Sequence, residues 1–351
     1  MIVTLTLNPG LDLTYSLTES SVGEVDVHRA AAATLEASGK GVNVSRALHI
    51  NGIDTIAVLP LGGSTGHHLA ELLATEGVAH RSVEQKGDTR VNTTLAVTGG
   101  QTAKVNGPGG PLTRADLAAL KTEVTVALRE GRSDREVWLA VCGSLPPGLD
   151  PAVVGDLVAL AHANNARCAL DASGEALAAA ISAGADLLAP NRIELAEVDP
   201  RAAAADAVED MAAIAAGIAR DTGTSLLFSL GEDGALFTDG DALVHGYGPV
   251  LTPVNTAGAG DALLSGWLAE AGPPADRMAR AIRWSRAACL SATTVAPALA
   301  DASTSSEGIT VRTLTHDQPK GPSHDHQPSH RRERRPEHGA ARGTDSDAIT
   351  W

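Results

Sequence analysis

Short apolar runs recur along the chain, flanked by turn residues, and longer stretches between them carry apolar side chains every three or four positions. The runs at 2–7, 55–59, 137–141, 168–171, 186–189 and 225–229 do not alternate strictly with polar residues. That pattern predicts strands covered on both faces. The stretches 42–50, 67–76, 114–130, 151–164, 175–183 and 202–221 have helical spacing. Thr113 and Asp150 stand where helix N-caps are wanted. Strand–helix alternation of this length predicts an α/β fold, a doubly wound, mainly parallel sheet flanked by helices. Two segments break the rhythm. Residues 14–35 and 89–105 show Thr/Val alternation without an intervening helix. They are expected either to pair into a small accessory sheet or to form separate surface hairpins.

From about residue 315 onward Pro, His, Ser, Arg and Gly dominate. Too few apolar residues remain to offset the entropy of ordering, so 315–351 is expected to be a disordered polar tail beyond a single domain at 1–314. The chain carries 42 acidic and 27 basic residues, a formal net charge of −15. Such a surface repels phosphate polymers and argues against a nucleic-acid partner. Aromatic residues make up only 2 %, which disfavours base-stacking platforms. No stretch approaches the ~18 uninterrupted apolar residues of a membrane span, and Met1–Asn8 has no leader-like pattern. Cys142, Cys168 and Cys289 are odd in number and lie in apolar runs, as reduced thiols of a cytoplasmic protein would.

The sharpest chemical signal is Asn255-Thr256-Ala257-Gly258-Ala259-Gly260-Asp261, followed by a helical run. Small residues at a helix start let backbone N–H groups approach an anion, and the helix dipole favours negative charge there. A carboxylate in that place repels phosphate. It makes sense if Asp261 takes the proton of a hydroxyl attacking phosphorus while the N–H groups hold the moving phosphoryl group. The competing reading has Asp261 only stabilising the first helical turn. Other nucleotide fingerprints are missing: Gly41 replaces the Ser or Thr of a Walker A loop, and no G-x-G-x-x-G turn follows the first strand.

Further candidates lie at loops that follow strands. Gly39, Lys40 and Asn43 form a compact helix-start loop, and Asp12 lies just past the first strand, where a carboxylate can accept from sugar hydroxyls. Arg90 and Asn92 fall in the accessory segment, and an arginine there can fork onto a phosphate. Ser144 follows another strand. Asn191 and Glu194 are three apart at a helix start, oxygen donors suited to Mg²⁺. Ser229, Gly231 and Gly234 end a further strand. Each residue also has a bland reading as a turn former or a solvated charge. Doubly wound topology would gather Asp12, Ser144, Asn191, Glu194, Gly231 and Asp261 into one crevice.

Together these segments resemble the PfkB (ribokinase-like) carbohydrate kinases. Thr256–Asp261 looks like that family's C-terminal signature, and Ser38-Gly39-Lys40-Gly41-Val42-Asn43-Val44-Ser45 like its N-terminal one. The Thr6–Asp12 opening, Thr89–Asn92, the Gly143–Gly148 loop and Pro190–Leu195 look like its phosphosugar branch. That branch holds 1-phosphofructokinase, tagatose-6-phosphate kinase and the minor 6-phosphofructokinase. Lys104-Val105-Asn106-Gly107-Pro108-Gly109 is more like the first of these. Ser38 departs from the usual Gly, and the tail departs from the family's closing helix.

The resemblance implies a ribokinase-like fold with a small β-sheet lid, which often forms a homodimer interface. It implies Asp261 as the base and Ala257 to Gly260, with Gly258, Ala259 and Gly260 at its centre, as the anion hole. Asp12, Gly39, Asn43, Asn92 and Ser144 would hold the sugar. Arg90 would hold its phosphate, helped by Lys40. Asn191 and Glu194 would organise Mg²⁺ through water, and Asn191, Ser229, Gly231, Gly234, Gly258 and Gly260 would contact ATP. The implied reaction is ATP-dependent phosphorylation of a ketohexose monophosphate, fructose 1-phosphate foremost. The other phosphosugars of the branch, or a non-catalytic sensor of sugar phosphates, are the alternatives.

Overall fold

The computed structural model describes residues 1–18, 22, 27–97, 102–130, 136–296 and 308–315. Met1–His316 makes one compact unit. The tail expected at 315–351 lies, beyond Thr315, outside the described residues.

Fourteen strands are found among the described residues: β1 (Ile2–Leu5), β2 (Gly10–Leu17), β3 (Ala30–Ser38), β4 (Thr55–Leu61), β5 (His80–Glu84), β6 (Arg90–Val97), β7 (Thr102–Val105), β8 (Trp138–Cys142), β9 (Arg167–Asp171), β10 (Leu187–Leu188), β11 (Ser225–Ser229), β12 (Ala235–Thr238), β13 (Leu243–Tyr247) and β14 (Thr310–Thr313). The helices are α1 (Lys40–Ile50), α2 (Gly63–Thr75), α3 (Arg114–Glu130), α4 (Val153–Ala163), α5 (Gly174–Ser182), α6 (Arg192–Val198), α7 (Val208–Thr222), α8 (Ala259–Ala269) and α9 (Pro274–Cys289).

Ten strands form the main sheet in the order β5-β4-β1-β8-β9-β10-β11-β12-β13-β14. The pairs from β5 to β11 are parallel, and β12 to β14 add on antiparallel. The chain leaves β1 towards β4 and β5 and later returns to β8 on β1's other side. That reversal opens a crevice at the carboxyl ends of the strands.

Both faces of the sheet are covered, which is why its strands read as unbroken apolar runs. Val3, Leu5, Leu139 and Leu170 pack with Leu120 and Val124 of α3, Leu157 of α4 and Leu177 of α5. Their strand neighbours Ile2, Trp138, Ala140 and Ala169 turn the other way, onto Val44 and Leu48 of α1, Leu264 of α8 and Trp284 of α9. Free cysteines Cys142 and Cys168 are buried in these layers, and Cys289 is half-buried. Among the described residues no helix is long and apolar enough to cross a membrane.

The two irregular segments pair into one separate sheet, in the order β3-β2-β6-β7. Strand β2 lies antiparallel to β3 and parallel to β6, with Asp12 opposite Asn92. The lid strand starts earlier than expected, at Gly10, so Asp12 belongs to the lid and not to the rim of the main sheet.

Three further differences have local causes. The stretch 202–221 is not one helix. Asp199 accepts the N–H of Arg201 and closes a 3-10 turn at Pro200–Ala204, Ala205 is extended, and α7 begins only at Val208. Thr113 does cap α3, exchanging hydrogen bonds with Asp116. Asp150 sits before its helix instead, accepting from Ala152 N while α4 starts at Val153. Finally, β5, β12, β13 and β14 are absent from the sequence reading. Strand β5 lies at the sheet edge and is mostly polar, and the others have only four or five residues each.

Candidate functional site

The N-terminus of α8 forms the centre of the crevice. Gly258 is its N-cap in the left-handed conformation, φ 79°. A Cβ there would strike the Thr294 carbonyl, whereas one on Gly260 would meet nothing within 4 Å. The Asn255 side chain accepts the Ala257 N–H, fixing the loop into the helix. The N–H groups of Gly258, Gly260 and Asp261 have no partner among the described residues, whereas those of Ala257 and Ala259, also expected in the anion hole, are taken by Asn255 Oδ1 and the Thr256 carbonyl. They are the orphan donors of a helix start.

Asp261 stands beside them, 7 % exposed. Its Oδ2 accepts from Asn43 Nδ2 at 2.7 Å. Burial, and then the neighbouring Asp171 carboxylate, push its carboxyl up to about 7 against the pull of Asn43, Lys40 and Lys104. Ser265 holds the helical turn below by donating to the Asp261 carbonyl at 2.6 Å. The Oδ1 of Asn43 is buried and has no partner among the described residues. That leaves an acceptor for an incoming hydroxyl.

A cleft of about 490 Å³ opens over this pair. The sequence-derived candidates Asp12, Gly39, Lys40, Asn43, Arg90, Asn92, Ser144, Asn191, Glu194, Ser229, Gly258, Gly260 and Asp261 all line it. A second cleft of about 480 Å³, lined by Ser229, Gly231, Gly234, Ala259 and Gly260, adjoins it. The apolar side chains of Val250, Leu251, Pro253, Leu263 and Ile282 complete the second cleft. Gly231 and Gly234 therefore belong to this neighbour and not to the crevice expected to hold all six gathered residues. Ser229 and Gly260 are shared by both.

The cations differ in their commitments. Lys40 Nζ lies 2.6 Å from Asp171 Oδ1 and 3.7 Å from Glu194 Oε1. Burial alone would lower its proton affinity, but the carboxylates of Asp171, Glu194 and Asp261 outweigh that and raise it. Among the described residues Arg90 donates only to the Gly107 carbonyl and its buried Nε is unpartnered, and burial lowers its pKa despite Asp12. Lys104, on β7, also lines the cleft. Neither Arg90 nor Lys104 has an ion pair among the described residues. Asn92 donates to Asp12 Oδ1 at 2.7 Å and accepts from Gly107 N.

Asn191 caps α6. Its Oδ1 accepts from Ile193 N and Glu194 N, and Glu194 Oε2 accepts from Asn191 N. With both lone pairs used, the Asn191 oxygen is not a direct metal ligand, while Glu194 Oε1 still faces the cleft near Lys40. No group of three or more His, Cys, Asp or Glu among the described residues is placed to hold a metal ion. The donor set fits an ion that keeps its waters and leans on one carboxylate, as Mg²⁺ does.

Sequence reasoning missed Asp171 and Lys104 as site residues. Asp171 ends the predicted strand 168–171, so the carboxyl-end rule applied to Asp12 would have found it. Lys104 gave only a family-like context.

Comparison with known proteins bears on this geometry. The pfkB family carbohydrate kinase pattern matches residues 6–297. The 1-phosphofructokinase of Vibrio cholerae is 31 % identical over 265 residues, 76 % of this chain and 81 % of the relative. The ATP-dependent 6-phosphofructokinase isozyme 2 of Escherichia coli is 34 % identical over 275 residues, 75 % and 83 % of the two chains. Crystalline phosphofructokinase-2 from Escherichia coli, in complex with potassium, superposes with a TM-score of 0.77 at 30 % identity, over 86 % of this chain and 97 % of that one. The chain belongs to the pfkB family of carbohydrate kinases, on the ribokinase-like fold with its small separate sheet.

Proposed function

We propose that this ATP-dependent kinase transfers the γ-phosphoryl group to the free primary hydroxyl of a ketohexose monophosphate, fructose 1-phosphate first. The observation that carries the reading is the pairing, in one cleft, of the Asp261 carboxylate with helix-start N–H groups and two cations, Arg90 and Lys104, that have no partner carboxylate among the described residues. A neutral sugar would leave those charges unused.

In this reading Asp12, Asn92, Gly39, Asn43 and Ser144 hold the sugar, with the open Asn43 Oδ1 accepting from one of its hydroxyls. Arg90 and Lys104 take its existing phosphate. Lys40, bound between Asp171 and Glu194, balances the carboxylates around the reacting centre. The second cleft takes ATP, with apolar side chains against the base and the Gly231–Gly234 turn and Ser229 against the rest. Asp261 accepts the hydroxyl proton as the new O–P bond forms and the bond to ADP breaks. The N–H groups of Gly258, Gly260 and Asp261 stabilise the charge on the transferring group. Glu194, with Asn191 through water, would organise Mg²⁺, which supplies charge neutralisation on the phosphates when bound. A second copy covering the outer face of the lid belongs to the same reading.

Regiochemistry is decided by coupled ADP release with fructose 1-phosphate, fructose 6-phosphate and tagatose 6-phosphate side by side. Fructose 1-phosphate is expected to give the highest kcat/KM. Arg90→Met and Lys104→Met are each expected to raise its KM about tenfold or more, as loss of a charged hydrogen bond does. An unchanged KM in both variants, or a preference for unphosphorylated fructose, would refute the reading.

A further inference from the structure

The turn that lines the second cleft is held from behind by a residue outside the reacting groups. His245, on β13, is 4 % exposed, and its Nε2 lies 2.8 Å from the Asp233 carbonyl. Asp233 closes the Gly231–Asp233 turn, and Gly234 follows it at φ 88°. On the ring's other side Arg312, on β14, donates Nε–H to His245 Nδ1 at 3.2 Å.

These two contacts settle the tautomer. A guanidinium only donates, so Nδ1 is the accepting nitrogen. A carbonyl only accepts, so Nε2 carries the proton. Burial, against the opposing Asp233 contact and with a smaller push from the Arg312 charge, holds the imidazole below its usual value. The charged groups around it are Arg312, Glu209 and Asp233. Arg312 is itself placed by Glu209 Oε1 at 3.1 Å and by the Tyr247 ring. The Asp233 carboxylate lies 3.6 Å from Arg192 Nη2.

We propose that His245 is a positioning residue for the nucleotide: with Nδ1 accepting from Arg312, its Nε2–H pins the Asp233 carbonyl and so sets the Gly231–Gly234 turn against ATP. This rests on the second cleft being the nucleotide site. It ties the last described strand to nucleotide affinity while leaving the sugar cleft alone.

The test separates KM from kcat. His245→Phe is expected to raise the KM for ATP about fivefold to tenfold, the worth of one hydrogen bond, with kcat and the sugar-phosphate KM within about twofold. His245→Gln, whose amide N–H reaches the place of Nε2–H, is expected to recover most of the loss. Arg312→Met removes the donor to Nδ1 without opening the core, and is expected to raise the KM for ATP by less than His245→Phe does, because the Asp233 carbonyl still holds Nε2–H. The proposal falls if His245→Phe raises both KM values alike, if it leaves the ATP KM unchanged, if His245→Gln is no better than His245→Phe, or if Arg312→Met costs more ATP affinity than His245→Phe. Leu251→Trp, which fills the cleft, is the control. If it too leaves ATP binding unchanged, the nucleotide assignment of the cleft fails and not merely the role of His245.

Discussion

In the proposed reading a carboxylate stands beside the resting place of a phosphoryl group, which is unfavourable unless it has work there, and Asp261 is kept in its place by Asn43 and Ser265. Its raised proton affinity has two consequences of opposite sign. Only the ionised form can take a proton, so kcat/KM is expected to fall as pH drops through about 7. Stability runs the other way. The folded-state value lies above the unfolded one near ~4, so the favourable protonated form is fully present below the unfolded value and is lost as pH rises through the folded value. Asp261→Asn is therefore expected to raise the melting temperature at pH 8, by roughly 2–4 °C for each kcal/mol relieved, and to leave it nearly unchanged near pH 4. Thermal denaturation at the two pH values measures this. A lower melting temperature at pH 8 would show that the carboxylate is a structural asset.

At the scale of elements, caps and turns place the site residues. The reciprocal Asn191–Glu194 bonds start α6 and aim the remaining Glu194 oxygen at Lys40. Asn191→Ala is expected to lower unfolding free energy by about 1 kcal/mol in a denaturant titration. Gly39 matters differently. At φ 121° only glycine is comfortable, and a Cβ would come within 2.8 Å of Thr6 Cγ2. Much at this scale was legible in the sequence. The strands 137–141 and 168–171 and the helix 114–130 appear within a residue or so of their expected bounds, because long periodic or fully buried stretches leave little choice. The split at 202–221 was not legible, since the Asp199 cap outcompetes a run of good helix formers. The antiparallel additions β12 to β14 depend on partners far away in sequence. The same holds within the site: the Asp261 loop has a local signature, but the Lys40–Asp171 pair joins residues 131 apart and exists only once the sheet has formed.

Across the whole molecule, the site depends on two sheets meeting. The main sheet supplies Asp171 and the loops after its strands, and the lid supplies Asp12, Arg90, Asn92 and Lys104. Arg46, on α1, links the lid to the main body. Its guanidinium grips Glu76, next to α2, with bonds of 2.6 and 2.7 Å, and it donates to Ala37 O on β3. Strand alternation turns Asp12 and Asn92 to the cleft and leaves Leu35, Val91 and Val105 on the outer face, where they are exposed. In the proposed reading a second copy covers that face, so sedimentation of the wild type is expected to give a dimer mass. Paired Val91→Asp and Val105→Asp changes are expected to give the monomer, and a wild-type monomer at assay concentration would remove the lid interface.

The reading as a kinase is tested most directly by turnover of Asp261→Asn with ATP and fructose 1-phosphate, alongside equilibrium binding of each substrate to the same variant. A drop of about 10²–10⁴-fold in kcat with both affinities within about twofold is the expected result for loss of a general base. Turnover within a few-fold of wild type would mean that the proton leaves by another route and that the arrangement at the start of α8 serves some other end.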